Sequence, residues 1–252
     1  MSDWNSNLYL RFEKQRTQPA SDLAKRIEKA DANKIVDLGC GPGNSTAILR
    51  SVFPEAKLTG IDNSVNMIKK AKKTYPDIEF RLGNVQNLND SFDIIFSNAC
   101  LQWVPDHHSL LPYLMTRLNE QGVLAVQIPV NQEEPLFKII KETARQSAFD
   151  FSKVYFEKND TLTPEEYYDI LSGCASDFDI WETVYYHDLS SHQELTNWVR
   201  GTRLRPYLDC LSDEDKKVFE AELLNRIKKQ YTVMMNGTVI LKFRRLFFVA
   251  VK

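Results

Sequence analysis

An α/β fold is what this sequence predicts: a doubly wound, seven-stranded, mostly parallel sheet with helical cap insertions. Three observations predict it. Between Lys34 and Pro129, short apolar runs of strand length alternate with amphipathic helical patterns. A glycine-rich turn follows the first strand directly. Beyond Pro129 the alternation gives way to helices, and apolar β-type runs return only at 180–189 and 246–251.

The elements follow in order. Residues 8–30 read as helical, with Leu8, Phe12, Leu23 and Ile27 on one face and Pro19 opening a second segment. A strand over 34–38 leads to a helix over 44–52, with Pro54 beyond it. A strand over 57–62 leads to a helix over 64–74, capped by Ser64 and followed by Pro76. A strand over 78–82 opens into a loop from Asn84 to Asp90. Phe92 to Phe96 is nearly continuous in apolar residues, as a strand buried on both faces should be. A helix over 108–118 and a strand over 123–128 complete the regular part. Pro135 starts the next helix, and Thr163-Pro164-Glu165-Glu166 starts another with a capping box and proline in the first turn. Ser191 and Glu194 form a capping pair ahead of Leu195, Trp198 and Val199. A long amphipathic helix covers Ser212 to Tyr231. One domain is expected, with 30–129 as the ligand-binding core. The stretches 1–29, 130–179 and 190–238 would form cap elements, and 180–189 and 245–251 the closing strands.

Bulk properties exclude several function classes. The formal charge is −2, with 32 Lys and Arg against 34 Asp and Glu, so no basic field invites nucleic acid or an anionic membrane. No apolar run approaches the roughly 20 residues of a membrane span. The opening Met1-Ser2-Asp3-Trp4-Asn5 lacks the regions of a signal peptide. The four cysteines, Cys40, Cys100, Cys174 and Cys210, are widely spaced and read as reduced thiols, neither a disulfide frame nor a metal site. A cytoplasmic monomer is expected.

The run Val36-Asp37-Leu38-Gly39-Cys40-Gly41-Pro42-Gly43-Asn44-Ser45-Thr46 carries the most chemistry. Glycines let backbone N–H groups approach a ligand, and the following helix N-terminus adds a partial positive end. The spacing is Gly-x-Gly-x-Gly; the dinucleotide fingerprint needs its third glycine where Asn44 stands. Together with Asp37, that difference points to S-adenosylmethionine instead of a nicotinamide dinucleotide. The run resembles motif I of class I S-adenosylmethionine-dependent methyltransferases, whose fold is Rossmann-like. Asp62 ends the second strand at the roughly 20-residue interval where a carboxylate accepts bonds from ribose hydroxyls.

The resemblance extends along nearly the whole chain. Met1 to Asn5, Tyr9 to Arg16, Ser97-Asn98-Ala99-Cys100-Leu101-Gln102-Trp103-Val104-Pro105-Asp106-His107 and Gly122 to Pro129 all look like the trans-aconitate 2-methyltransferase family. So do Asp179-Ile180-Trp181, Tyr185-Tyr186-His187, Leu204-Arg205-Pro206 and Arg245-Leu246-Phe247. The family implies methyl esterification of a small-molecule tricarboxylate. It implies a cofactor site from Asp37, Gly39, Cys40, Gly41, Asp62, Asn63, Met67, Val85, Asn98, Ala99 and Trp103. After the third strand many methyltransferases carry an acidic residue that meets adenine. Here the position is Asn84, whose carbonyl oxygen still accepts a bond. Substrate candidates are Trp4, Tyr9, Arg16, His107, His187, Trp198, Arg205 and Arg245. Arginine suits a tricarboxylate because its planar fork pairs bidentately with carboxylate. Arg244 and Arg245 fall on opposite sides of a strand, so one of them faces the crevice. No acid/base catalyst is expected, because a carboxylate nucleophile is already ionised at neutral pH.

Two other functions fit the same turn. A malonyl-thioester carboxyl methyltransferase of biotin synthesis also esterifies a free carboxylate. A non-catalytic S-adenosylmethionine-binding protein would keep Gly39, Gly41 and Asp62 without turnover.

Overall fold

Strand order places the site. In a computed structural model, which describes residues 13–152, 154 and 161–252, seven strands form one sheet in the order β3-β2-β1-β4-β5-β7-β6. They are β1 (Lys34–Leu38), β2 (Lys57–Asp62), β3 (Glu79–Leu82), β4 (Phe92–Asn98), β5 (Leu118–Pro129), β6 (Asp177–Leu189) and β7 (Val239–Val251). β1 pairs in parallel with β2 and β4, β2 with β3, and β4 with β5; β7 runs antiparallel to β5. The order reverses between β2-β1 and β4, and a crevice at the carboxyl ends of β1 and β4 is where such sheets bind ligands.

The helices of this sheet are α1 (Glu13–Arg26), α2 (Asn44–Val52), α3 (Val65–Thr74), α4 (His107–Thr116), α5 (Pro135–Gln146) and α6 (Pro164–Ser172), with a short 3-10 turn at Leu101–Trp103. They are followed by α7 (His192–Arg200), α8 (Arg205–Leu208) and α9 (Asp213–Gln230). Several start on a side-chain cap. Ser64 accepts a bond from Met67 N, Thr163 and Glu166 form a complete capping box, and Ser212 accepts from Asp215 N.

Three expectations are corrected. Pro19 does not open a new segment: it lies inside α1, buried with Ala20, Leu23 and Ala24. Ser191 caps nothing with its side chain; Glu194 N bonds the Ser191 carbonyl, and the Glu194 carboxylate takes Asn197 Nδ2. The strands β5, β6 and β7 begin earlier than their apolar runs. In β7, burial alternates from Val239 to Phe243 although Lys242 points outward.

Contacts divide the chain into two units. The first runs to Pro129 and includes the segment ending at Thr183 and Arg245–Lys252. Its core is Ile35, Val36, Leu38, Ile94, Ile95, Phe96, Leu124 and Phe248. The second comprises the segment from Val130 and Val184–Arg244. There Phe149, Phe151, Tyr207 and Phe219 pack edge to face or tilted, with ring centroids 5.0–6.4 Å apart. The Tyr231 hydroxyl donates to Glu134 Oε1 at 2.6 Å and accepts from Leu136 N at 2.9 Å, tying α5 to the end of α9.

Candidate methyl-donor site

The turn after β1 is held by its own backbone. Gly39 N and Cys40 N both donate to the Ile61 carbonyl, at 2.8 and 3.0 Å, and Gly43 N closes the loop on the Cys40 carbonyl at 3.0 Å. Gly39 and Gly41 have φ of +69° and +53°, a region that side chains rarely occupy. Their surroundings differ. A Cβ on Gly39 would lie 2.3 Å from Cys100 Sγ, whereas one on Gly41 would meet nothing within 4 Å among the described residues. Gly39 therefore lets the turn after β4 approach, and Gly41 leaves space among the described residues at the sheet's ligand end.

Two carboxylates flank that space. Asp37 is fully buried and its Oδ2 accepts from Ser45 Oγ at 2.6 Å and Thr46 Oγ1 at 2.7 Å, clamping the first turn of α2 to β1. Its Oδ1 has no hydrogen-bond partner among the described residues. Burial pushes the Asp37 carboxyl up to about 6, against the two hydroxyl bonds, and the Asp62 charge adds to the rise. Asp62 is half-buried; its Oδ2 accepts from Gly41 N at 2.9 Å and its Oδ1 from Ser64 N at 2.8 Å. A carboxylate offers acceptors alone, which suits a diol. A pyrophosphate would be repelled by this pair of acids. A ligand with a ribose and a cationic centre suits it.

The other cofactor candidates gather around the same sheet end. Met67 and Val85 are buried, Asn63 is exposed, and the Cys40 thiol packs inward with both backbone groups engaged in the turn. Cys40 therefore shapes the turn from within. Burial raises its thiol, and raises that of Cys100 to about 12, so both stay protonated at neutral pH. Asn84 is exposed and its Oδ1 accepts from Gln86 N at 3.0 Å, an Asx turn that holds the loop after β3. At the end of β4, Asn98 Oδ1 is buried without a partner among the described residues. Ala99 adopts φ of +54° and donates its N–H to the Gln127 carbonyl at 2.9 Å. Trp103 is 37% exposed just beyond.

The substrate candidates fall in both units. Trp4 and Tyr9 lie outside the described residues, and Arg16 lies in α1. His187 and Trp198 stack in the second unit at 5.0 Å, with Phe243 against both. Arg205 starts α8 in the same unit, with Nε 3.4 Å from Asp209 Oδ2. In the first unit Arg245 is 4% exposed and its Nη1 donates to Gln127 Oε1 at 2.9 Å; Arg244, the last residue of the second unit, is exposed.

His107 is corrected outright. It is 1% exposed, with Nε2 2.8 Å from the Leu101 carbonyl and Nδ1 2.6 Å from Tyr167 Oη. A carbonyl only accepts, so Nε2 carries the proton and Nδ1 accepts from the tyrosine. Neither nitrogen is left to meet a substrate; His107 pins α4 to α6. Replacing it by alanine is expected to lower unfolding free energy by roughly 2–4 kcal/mol, because Tyr167 Oη and the Leu101 carbonyl lose a partner. Urea denaturation measures that loss, and ligand affinity stays at the wild-type value.

Sequence reasoning missed Ser45, Thr46, Tyr167 and Gln127. The first two stand beside Asp37 at a helix start, and Gln127 is the lone polar residue in the run Val123 to Ile128. Tyr167 had no local signal, since its partner is 60 residues away.

Comparison with known proteins gives the family. A family model described as a methyltransferase domain matches residues 29–200. Trans-aconitate 2-methyltransferases of Escherichia coli O157:H7 and Shigella flexneri are each 42% identical over 252 residues, covering 99% of this chain and 98% of theirs. Among solved structures, the YcgJ protein of Bacillus subtilis superposes with a TM-score of 0.61 at 16% identity, over 93% of this chain and 98% of that one. An O-methyltransferase of a Brevibacillus brevis polyketide multienzyme, solved with S-adenosyl-L-homocysteine, gives a TM-score of 0.54 at 15% identity, over 98% and 75%. With the acidic glycine turn, the reversal of strand order beside it and this full-length likeness, the chain belongs to the trans-aconitate 2-methyltransferase family of S-adenosylmethionine-dependent methyltransferases.

Proposed function

We propose that the protein esterifies one carboxylate of trans-aconitate, or of a close tricarboxylate, with S-adenosylmethionine as methyl donor. The full-length identity of 42% to trans-aconitate 2-methyltransferases carries the reading. The paired acids of the turn support the donor half. When bound, S-adenosylmethionine supplies an electrophilic sulfonium methyl group.

The chain's own residues then have a limited task. Asp62, set beside Gly41 N and Ser64 N, offers its carboxylate to a ribose diol. Asp37 places negative charge where a cationic donor gains from it. Gly41 leaves the space, and β4 ends beside it. The acceptor carboxylate is ionised at neutral pH, so no residue has to remove a proton. Protonated thiols at Cys40 and Cys100 and the engaged imidazole of His107 fit a site that works by alignment and exclusion of water.

The test is a mass-detected assay of the full chain with S-adenosylmethionine against trans-aconitate, cis-aconitate, isocitrate and a malonyl thioester. A monomethyl ester of trans-aconitate is expected, with no product from the thioester. Esterification of the thioester alone would transfer the protein to biotin-type chemistry. Donor binding by calorimetry with no product from any acid would leave a binding protein.

A further inference from the structure

We infer that Gln127 donates a hydrogen bond to a carboxylate of the methyl acceptor, and that Arg245 acts through Gln127 by fixing which way its amide faces. This rests on the acceptor being a carboxylic acid, as proposed above.

Gln127 is 0% exposed within an apolar strand. A buried glutamine is sustained by its partners. One is known: Arg245 Nη1 donates to its Oε1 at 2.9 Å. A guanidinium has donors only, so the amide cannot turn over without bringing N–H against N–H. The arginine therefore locks the orientation and forces Nε2 to the other side. There no acceptor meets it among the described residues. The positive charge behind the oxygen also polarises the amide and makes Nε2 a stronger donor.

Register says what lies in front. Gln127 stands beside Asn98, the last residue of β4, and on its other side beside Phe247 of β7. Neighbours in register share a sheet face. Trp181 stacks on Phe247, centroids 5.2 Å apart and planes within 8°, giving Gln127 an apolar flank that strengthens polar contacts. The ribose acceptor Asp62 ends β2, and the sheet then runs β1, β4, β5. A donor held at β2 and β1 directs its reactive end toward β4. The next strand, about 4.8 Å further, presents Gln127 to whatever the methyl group attacks. Anion chemistry matches: an N–H donor backed by a cation.

The alternative occupant is the zwitterionic amino-acid end of the donor, which would give its ammonium to Asn98 Oδ1 and its carboxylate to Gln127 Nε2. Calorimetry on the full-length chain separates the two. Titrations use S-adenosylhomocysteine alone, and trans-aconitate in its presence. Gln127→Glu keeps the shape and pairs with Arg245. Gln127→Met removes both amide groups and covers the case in which Gln127→Glu does not fold. The expected result is a rise of about ten- to a hundredfold in the trans-aconitate Kd in both variants. The S-adenosylhomocysteine Kd stays within about twofold. Arg245→Met produces a similar loss, and adding it to Gln127→Met produces none beyond that.

Unchanged trans-aconitate affinity in a folded Gln127 variant overturns the inference. So does a loss confined to S-adenosylhomocysteine, which would assign Gln127 to the donor. Additive losses overturn the role given to Arg245. Wild-type protein that binds trans-aconitate without turnover sinks the proposed function but leaves the Gln127 comparison standing. Wild-type protein that binds none of it overturns both.

Discussion

Replacing Gly39 by alanine is expected to remove about 3–5 kcal/mol of stability, while the same change at Gly41 leaves the fold within about 1–2 kcal/mol and abolishes donor binding. Both residues have a left-handed backbone, so both variants share the strain of placing Cβ there. They part over what the new methyl group meets. At Gly39 it would sit 2.3 Å from Cys100 Sγ and 2.4 Å from Cys100 Cβ. A rotamer change can move the sulfur, but Cβ moves only with the backbone of the turn after β4. Overpacking is then unavoidable. At Gly41 it would meet nothing within 4 Å among the described residues. There it would stand in the space expected to take the ligand. Urea denaturation reads the first effect and calorimetry with S-adenosylhomocysteine the second. A Gly39→Ala, Cys100→Gly double variant should regain the overpacking part and keep the strain. Equal stability losses at the two glycines would refute the division of labour.

How far the sequence revealed this molecule depends on the range of each interaction. Ser64 and Thr163 cap helices through bonds to residues three positions on, and both were legible. The alternation from Lys34 to Pro129 was equally local, since strand burial shows as composition. Asp62 was singled out by its interval from the glycine turn, and the structure sets it beside that turn, accepting from Gly41 N. His107 was misjudged because its partner Tyr167 comes from a helix 60 residues away, and a satisfied core histidine looks like any other in sequence. Ser191 failed for a different reason. A side chain that suits capping still depends on backbone angles, and here φ of −170° and ψ of 168° go with no side-chain cap. The early starts of β5 and β7 were hidden by Asn119, Glu120 and Lys242, polar residues on exposed strand positions. Gln127 had a signal, one amide in a run of aliphatics, but its meaning needed Arg245, 118 residues on.

Asp37 makes stability and donor binding respond to pH in opposite directions. In the folded chain its carboxyl lies at about 6, above the ordinary 3.8. Between those values the native state holds a proton that the unfolded state has released. The stability it contributes is complete below pH 3.8 and is lost as pH rises through 6. The ionised form at pH 7 thus costs about 3 kcal/mol relative to the protonated one. Asp37→Asn keeps an acceptor for Ser45 and Thr46 and carries no charge. Its unfolding free energy should therefore fall less than the wild type's between pH 4 and 7, by about that amount, with other titrating groups cancelling in the comparison. Binding runs the other way. A sulfonium and an ammonium favour ionised Asp37, so wild-type affinity for S-adenosylmethionine should weaken below pH 6, by up to about tenfold per unit. The asparagine variant should bind weakly at pH 7 and show a flatter profile. A wild-type affinity that is level from pH 7 to 5 would show that the cation does not sense this carboxylate. At neutral pH the empty fold carries a buried charge that destabilises it, and a cationic ligand is what relieves that burden.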